Sequence, residues 1–257
     1  MVISASGSGF RGISRRVTDG VLLIVAIIAI WEVIYWAAGE IALSSPFTTA
    51  VHAYEMLASA DFWPNVFTSF RALAVALVVE VILGLAFGLA CGLNRTLGEV
   101  WEPIIVGFYS IPKIVFYPIV LMFCGIGLAS VVVFAVMHGI LPIILFTMNA
   151  VRNMKPIYLK TARVMRLGQL ETMWRIALPA AIPEIFTGLR IGFGATMVGV
   201  LLSEMFGSKS GLGFMLMNAI GLNRVDEITA LTLLLAGFAV LINLMLLAID
   251  RRLHRRF

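Results

Sequence analysis

Apolar residues in this chain neither alternate nor keep to one helical face; they run together. Six stretches, at about 21–38, 73–93, 103–124, 130–150, 182–203 and 228–249, are rich in Leu, Ile, Val, Ala and Phe. A hydrocarbon layer about 30 Å thick is crossed by about 20 apolar residues of helix. None of the runs shows the period-two pattern of a barrel strand, so each is predicted to be a membrane-spanning helix with its backbone groups satisfied internally. The first run follows Arg15 and Arg16, as a secretory signal would. It is too long for a signal's apolar stretch and lacks a small-residue cleavage site, so it is expected to stay as the first helix. Pro112, Pro118 and Pro142 are expected to interrupt the third and fourth spans, as in broken helices that line a cavity.

Two polar regions separate the runs. In 39–70, Ser45 followed by Pro46 reads as a helix N-cap and first-turn proline. Phe47, Ala50, Val51, Tyr54, Leu57 and Ala58 then recur at helical spacing, with Thr48, His52 and Glu55 opposite. The spacing predicts a short amphipathic helix lying on the outer surface. In 152–178, Asn153 and Pro156 begin a helix to about Leu167, with Gly168 as its stop. A second short helix over 170–177 is expected to end before Leu178-Pro179.

Composition agrees with the pattern. Of 257 residues, 61% are hydrophobic and 13% charged, against about half and about a quarter in a soluble domain. With mean hydropathy +1.01, there is too little polar surface to cover a water-soluble globule, which excludes a soluble enzyme, a nucleic-acid binder and a disordered chain. The net charge of +5 is explained by its distribution. Arg11, Arg15, Arg16, Arg95, Arg152, Lys155, Lys160, Arg163, Arg166, Arg175, Arg251, Arg252, Arg255 and Arg256 fall on one side, and only Lys209 and Arg224 on the other. The excess of cations places both termini in the cytoplasm. The expected layout is a tail at 1–20, a first helix at 21–38, an extracytoplasmic amphipathic region at 39–70, a five-span core at 71–250 enclosing loop 152–178, and a basic tail at 251–257. Cys91 and Cys124 would lie near opposite faces of the bilayer, too far apart to bridge.

Catalytic signatures are missing. Gly207-Ser208-Lys209-Ser210-Gly211 lacks the order of a phosphate-binding loop, and His52, His138 and His254 are scattered without zinc-site spacing.

The cytoplasmic segment carries a resemblance. Permease subunits of bacterial ABC importers have a cytoplasmic motif: Glu-Ala-Ala, three residues, Gly, nine residues, Ile, one residue, Leu-Pro. Here Lys160-Thr161-Ala162, Arg166, Ile176 and Leu178-Pro179 fall at those spacings, with Arg163 a common companion. Lys160 stands where the family usually has Glu, and Arg166 where it has Gly. Further pieces resemble the nitrate/sulfonate/taurine branch: Thr172-Met173-Trp174-Arg175 through Pro183, Ser110-Ile111-Pro112-Lys113, Tyr117-Pro118, Phe123-Cys124-Gly125-Ile126-Gly127, and Ser203-Glu204-Met205-Phe206-Gly207 leading to Ser210-Gly211-Leu212-Gly213.

The resemblance implies an all-α, six-span permease of the bacterial inner membrane. It would work as a dimer with a second permease copy, two cytoplasmic ATPase subunits that bind ATP and magnesium, and an extracytoplasmic solute-binding protein. It also implies that the chain is a transport subunit rather than an enzyme, holds no cofactor itself, and couples to the ATPase through Lys160, Thr161, Ala162, Arg163, Arg166 and Leu167. Charge alone would equally suit a loop attracted to anionic lipid.

Charges at membrane depth are the remaining chemistry. Glu80 lies mid-span in the second run and Lys113 in the third; each costs about 2.5–3.5 kcal/mol at the bilayer centre, so each should face protein or water. They pair with each other, or they line a route for an anion. His138 is a further pathway candidate, and Glu204, Ser208 and Lys209 are candidates for an outer gate or binding-protein contact. The rival reading is an ion-coupled secondary transporter with Glu80 and His138 as relays. Gly84, Gly88 and Gly92, with Gly188 and Gly192, form small-residue faces for close helix packing, either inside one chain or at a dimer seam.

Overall fold

The computed structural model describes residues 8–39 and 41–254. The outermost parts of the expected tails, 1–7 and 255–257, lie outside the described residues. Those described are helical throughout, with no strand among them: α1 (Ser8–Ala38), α2 (Pro46–Ala58), α3 (Phe62–Leu93), α4 (Arg95–Ser110), a 3₁₀ turn (Lys113–Phe116), α5 (Tyr117–Cys124), α6 (Leu128–Arg152), α7 (Pro156–Val164), α8 (Gln169–Thr172), a π turn (Met173–Ala177), α9 (Leu178–Gly207), α10 (Leu212–Gly221) and α11 (Val225–His254). Five helices are long and apolar enough to cross a membrane, and α4 with α5 makes a sixth span if the bent pair counts as one.

That pair corrects the single third span expected at 103–124. It is bent by 90°. The cause is local: Ile111 precedes Pro112 and is extended, φ −77° and ψ 132°, because a proline ring clashes with a helical residue before it. Pro118 sits in the first turn of α5, where a missing N–H costs nothing. Pro142, expected to interrupt its span, lies inside an unbroken α6. Leu178-Pro179 likewise ends nothing. The π turn at Met173–Ala177 leads straight into α9, its wider ring accommodating a proline that would break a regular α ladder. Helix α3 begins at Phe62, ahead of the apolar run expected from 73, and is 32 residues long.

Two units form, residues 1–59 with 219–234, and 60–218 with 235–257. In the larger, α6 lies between α3 and α9. Gly84, Gly88 and Gly92 of α3 meet Ile143, Thr147 and Val151 of α6 in rising order, so these two helices run parallel. Gly188, Gly192 and Gly199 of α9 meet Phe146, Ile143 and Ala135 in falling order, so α9 is antiparallel to α6. The glycine faces are thus spent inside one chain. Ala72, Leu73, Ala76, Val131, Ala135, Phe193 and Val200 fill the shared core. Polarity is inverted relative to a soluble protein. Glu80, Ser130, Thr147, Thr196 and Ser203 are fully buried, while Ile82, Val198, Val240, Leu244 and Met245 are exposed, as fits a chain whose solvent is lipid.

At one end of this unit, Asn94 caps α4 by accepting from Leu97 N at 3.1 Å, and Arg152 of α6 pairs with Glu102 of α4. Arg190 of α9 pairs with Asp250 of α11 at 3.8 Å. Cys91 is buried, Cys124 is half-buried, and both are free.

In the smaller unit, α1 exposes its apolar residues from Val21 to Ile30. Ser45 caps α2 as expected, accepting from Thr48 N at 3.1 Å. Within this unit α2 buries Thr49 and Ala53, whereas Phe47 and Tyr54 are 79% and 74% exposed. The packing is polar. Ser44 donates to Asp226 at 2.5 Å, Thr49 to Thr229 at 3.3 Å, and His52 lies 3.8 Å from Asp226. The aromatic face stays free for an apolar environment, the arrangement of an interfacial helix.

Candidate functional site

Three groups of residues were singled out by sequence, and the fold treats them differently. The first is loop 152–178. Pro156 starts α7 at a position where no N–H is needed. The stop is Arg166, not Gly168. Leu167 N bonds Ala162 O at 3.0 Å and Arg166 N bonds Arg163 O at 3.0 Å, the paired bonds of a Schellman ending. That ending requires a left-handed residue, and Arg166 supplies it at φ 52°. The family motif's glycine suits this position because it carries no Cβ; arginine here holds the same turn under strain of about 1 kcal/mol or more.

Ala162 is buried and Leu167 half-buried, while Lys160, Thr161, Arg163 and Arg166 are exposed. Beside the cations, Ile157 (60%), Val164 (84%), Met165 (60%) and Trp174 (59%) are also exposed. Loop 152–178 thus exposes apolar side chains as well as cations.

The second group separates. Glu80 is fully buried and accepts from Thr196 Oγ1 at 2.7 Å; the same hydroxyl lies 2.8 Å from Gly192 O. Gly139 of α6 closes over both side chains, so that a Cβ there would overlap each. Glu80 is therefore packed at the junction of α3, α6 and α9. Lys113 sits elsewhere, in the break between α4 and α5. It donates to Tyr109 O at 3.4 Å and lies 4.9 Å from the centre of that ring. The two charges have separate partners and do not pair with each other, which was one of the two readings the sequence leaves open. His138 Nδ1 is 3.0 Å from Phe134 O, and its ring packs on Phe134 at 4.6 Å.

The third group converges. Glu204 is 1% exposed and accepts from Gly213 N at 2.9 Å and from Ser69 Oγ at 2.7 Å. Ser69 accepts in turn from Leu212 N at 2.8 Å, and Asn65 from Gly211 N at 2.8 Å. Side chains of α3 and α9 thus satisfy the first N–H groups of α10, and a carboxylate stands at that helix's positive end. Gly211, at φ +112°, permits the approach: a Cβ there would run into the Glu204 carboxyl. The Ser203-Glu204 and Gly211-Leu212-Gly213 pieces of the resemblance are therefore two halves of one cap.

Glu204, Ser208 and Lys209 do line one cavity of about 450 Å³, together with Phe67, Thr68, Arg71, Ile126, Leu128, Val131 and Ser210. Sequence reasoning missed Arg71, Ser69 and Asn65. Arg71 left a signal, since it is a cation at the head of a long apolar run and was assigned to neither side of the charge count.

The comparisons with known proteins agree with this architecture. Residues 81–257 match the family described as binding-protein-dependent transport system inner membrane component. The chain is 26% identical over 252 residues to the taurine transport system permease protein TauC of Escherichia coli (strain K12), covering 94% of this chain and 90% of that protein. It is 25% identical over 236 residues to the putative aliphatic sulfonates transport permease protein SsuC of Bacillus subtilis (strain 168), covering 91% and 86%. Similarity of 25% over 225 residues extends to the nitrate import permease protein NrtB of Synechocystis sp. (strain ATCC 27184 / PCC 6803 / Kazusa), covering 84% and 81%. Among solved structures, the inward-facing MetNI methionine ABC transporter superposes with a TM-score of 0.66 at 19% identity, over 74% of this chain and 94% of that one, a likeness of fold. A multi-pass helical protein with a match from residue 81 onward, this chain belongs to the permease subunits of ABC importers, the inner-membrane components of binding-protein-dependent transport.

Proposed function

We propose that this permease is the route by which an ATP-driven importer carries a small anion into the cytoplasm, by alternating access. The observation that carries the reading is that loop 152–178 exposes apolar side chains, Val164 and Met165 among them, beside its cations. A coupling element must project from the bundle and join moving spans rigidly. Helix α7 meets both conditions, linked to α6 on one side and through the π turn to α9 on the other. Two ATPase subunits, each holding ATP and magnesium, would grip this element on two permease copies, and their closure would turn the spans as rigid bodies. The cations of this loop support a cytoplasmic position for it. An extracytoplasmic binding protein would deliver the solute at the opposite end.

Lys160 and Arg166, two cations where the family motif has a carboxylate and a glycine, call for an acidic groove on this chain's ATPase. Reversing both, Lys160→Glu with Arg166→Glu, should weaken ATPase association about tenfold. Co-purification from detergent measures it, and unchanged association and transport would remove the groove from the account. The same pull-down with the unmodified chain tests the importer reading: recovery without any ATPase sinks it.

An anionic solute is supported by relatives named for taurine, aliphatic sulfonates, nitrate and bicarbonate. Lys113, at a break in a span, is the group placed to attract an anion along the pathway. Lys113→Met is expected to lower uptake of a labelled anion into proteoliposomes about tenfold at unchanged protein yield. Lowered yield with normal uptake per molecule would give Lys113 a structural role instead.

A further inference from the structure

We infer that the cavity beside the α9–α10 loop is a solute site within the permease itself, taking a small organic anion that also carries a hydrogen-bond donor, such as an amino-sulfonate. This rests on the importer reading and adds to it a place where the solute pauses inside this chain.

The wall is built from separate segments. Helix α3 supplies Arg71 and Thr68, the turn before α6 Ile126, α6 Leu128 and Val131, α9 Glu204, and the loop after it Lys209 with Ser208 and Ser210. Gly127 N bonds Gly207 O at 3.2 Å, and Ser208 Oγ donates to Ser210 O at 2.7 Å, so the turn and the loop are tied rather than loose. The volume of about 450 Å³ falls within the usual range for small-molecule sites, about 300–1,000 Å³.

The polar groups are of two opposite kinds. Arg71 and Lys209 line the cavity, and neither joins an ion pair among the described residues. Glu204 is 1% exposed. Its Oε2 takes the bonds from Ser69 and Gly213, while Oε1 is buried without a hydrogen-bond partner. A buried, unsatisfied acceptor is costly, and a donor on a guest would satisfy it. A guest with an anionic head for Arg71 and Lys209 and an ammonium for Glu204 answers both. Phe67, Ile126 and Leu128 offer apolar contact to a short linker between the two.

Position fits the task. From Arg71 to Leu93 is about 33 Å of helix, close to the hydrocarbon thickness of about 30 Å. Arg71 therefore stands at one membrane boundary while Leu93 stands at the other, near Gly92, which packs on Val151 beside loop 152–178. The cavity lies at the mouth remote from the coupling loop, where a delivered solute would enter.

The test is equilibrium binding of radiolabelled taurine to the full chain in detergent, with and without its ATPase and in the absence of any binding protein. Saturable binding with a dissociation constant of about 1 mM or tighter is expected, weakened about tenfold by Lys209→Ala and by Arg71→Ala. Size-exclusion elution of each variant confirms that it is folded. Ethanesulfonate and ethylamine, each lacking one of taurine's two charges, should compete at least about tenfold less well. Absence of saturable binding, or binding that survives Lys209→Ala combined with Arg71→Ala, overturns the site. Ethanesulfonate competing as well as taurine overturns the amino-sulfonate class. Either result with the ATPase still bound leaves the importer reading standing, so the two failures are distinguishable.

Discussion

Gly139→Leu should leave no folded permease in the membrane. At this position α6 meets Glu80 of α3 and Thr196 of α9 together, and even a Cβ would overlap both polar side chains. Overpacking a filled core costs about 1–3 kcal/mol, and stranding a buried hydrogen-bonding group a further 1–3 kcal/mol or so. The sum, about 2–6 kcal/mol, reaches the lower end of a domain's whole stability of about 5–15 kcal/mol. Gly84→Leu and Gly192→Leu strike the same helix from its two sides, at Ile143 in both cases, and should fail similarly. Fluorescence-detected size exclusion of the solubilised variants reads the outcome directly. The specific cause has its own check: Gly139→Ala should recover partly when Thr196→Ala removes the first obstacle. A normal, monodisperse Gly139→Leu protein would mean that these three helices do not meet as described.

Val164→Asp combined with Met165→Asp should strip the ATPase from the purified complex while the membrane helices stay folded. Both side chains are largely exposed in the chain alone, at 84% and 60%, so replacing them costs the isolated permease little. If docking buries them, each loses about 2 kcal/mol of transfer energy, and two such losses weaken association about a thousandfold. Unlike reversal of the rim charges, this loss should persist at high salt, since apolar contact is not screened. ATPase retained at wild-type level by the double variant would move the docking surface away from the end of α7.

Comparing the two regions shows how far the sequence reaches. The long apolar runs announced themselves because a lipid-facing helix cannot dilute its apolar residues with charge. The Ser45 cap and the proline start of α7 were equally legible, since a missing N–H or a short hydroxyl acts within one turn. Loop 152–178 stood out by spacing. Its terminator did not: Arg166 in a left-handed conformation is invisible to a rule that looks for glycine, because the bonds from Leu167 and Arg166 back into α7 overrode the side chain's preference.

What this sequence determined by itself is everything that depends on neighbours along the chain: an all-helical membrane protein, its approximate spans, the exposed basic element between the fourth and fifth, and the family. What only the tertiary structure decided is which distant side chains meet. By sequence Glu80 and Lys113 could pair or line a route; in the fold Glu80 found Thr196, 116 positions away, and Lys113 stayed with Tyr109, four positions back. Glu204 read as an outer-gate or binding-protein contact, and Arg71 belonged to no group. Parallel packing of α3 on α6 and antiparallel packing of α9 brought both to one cavity. In lipid, helix packing follows the small residues that allow close approach rather than the charges that catch the eye, so contact partners are written in shapes that only the folded bundle displays.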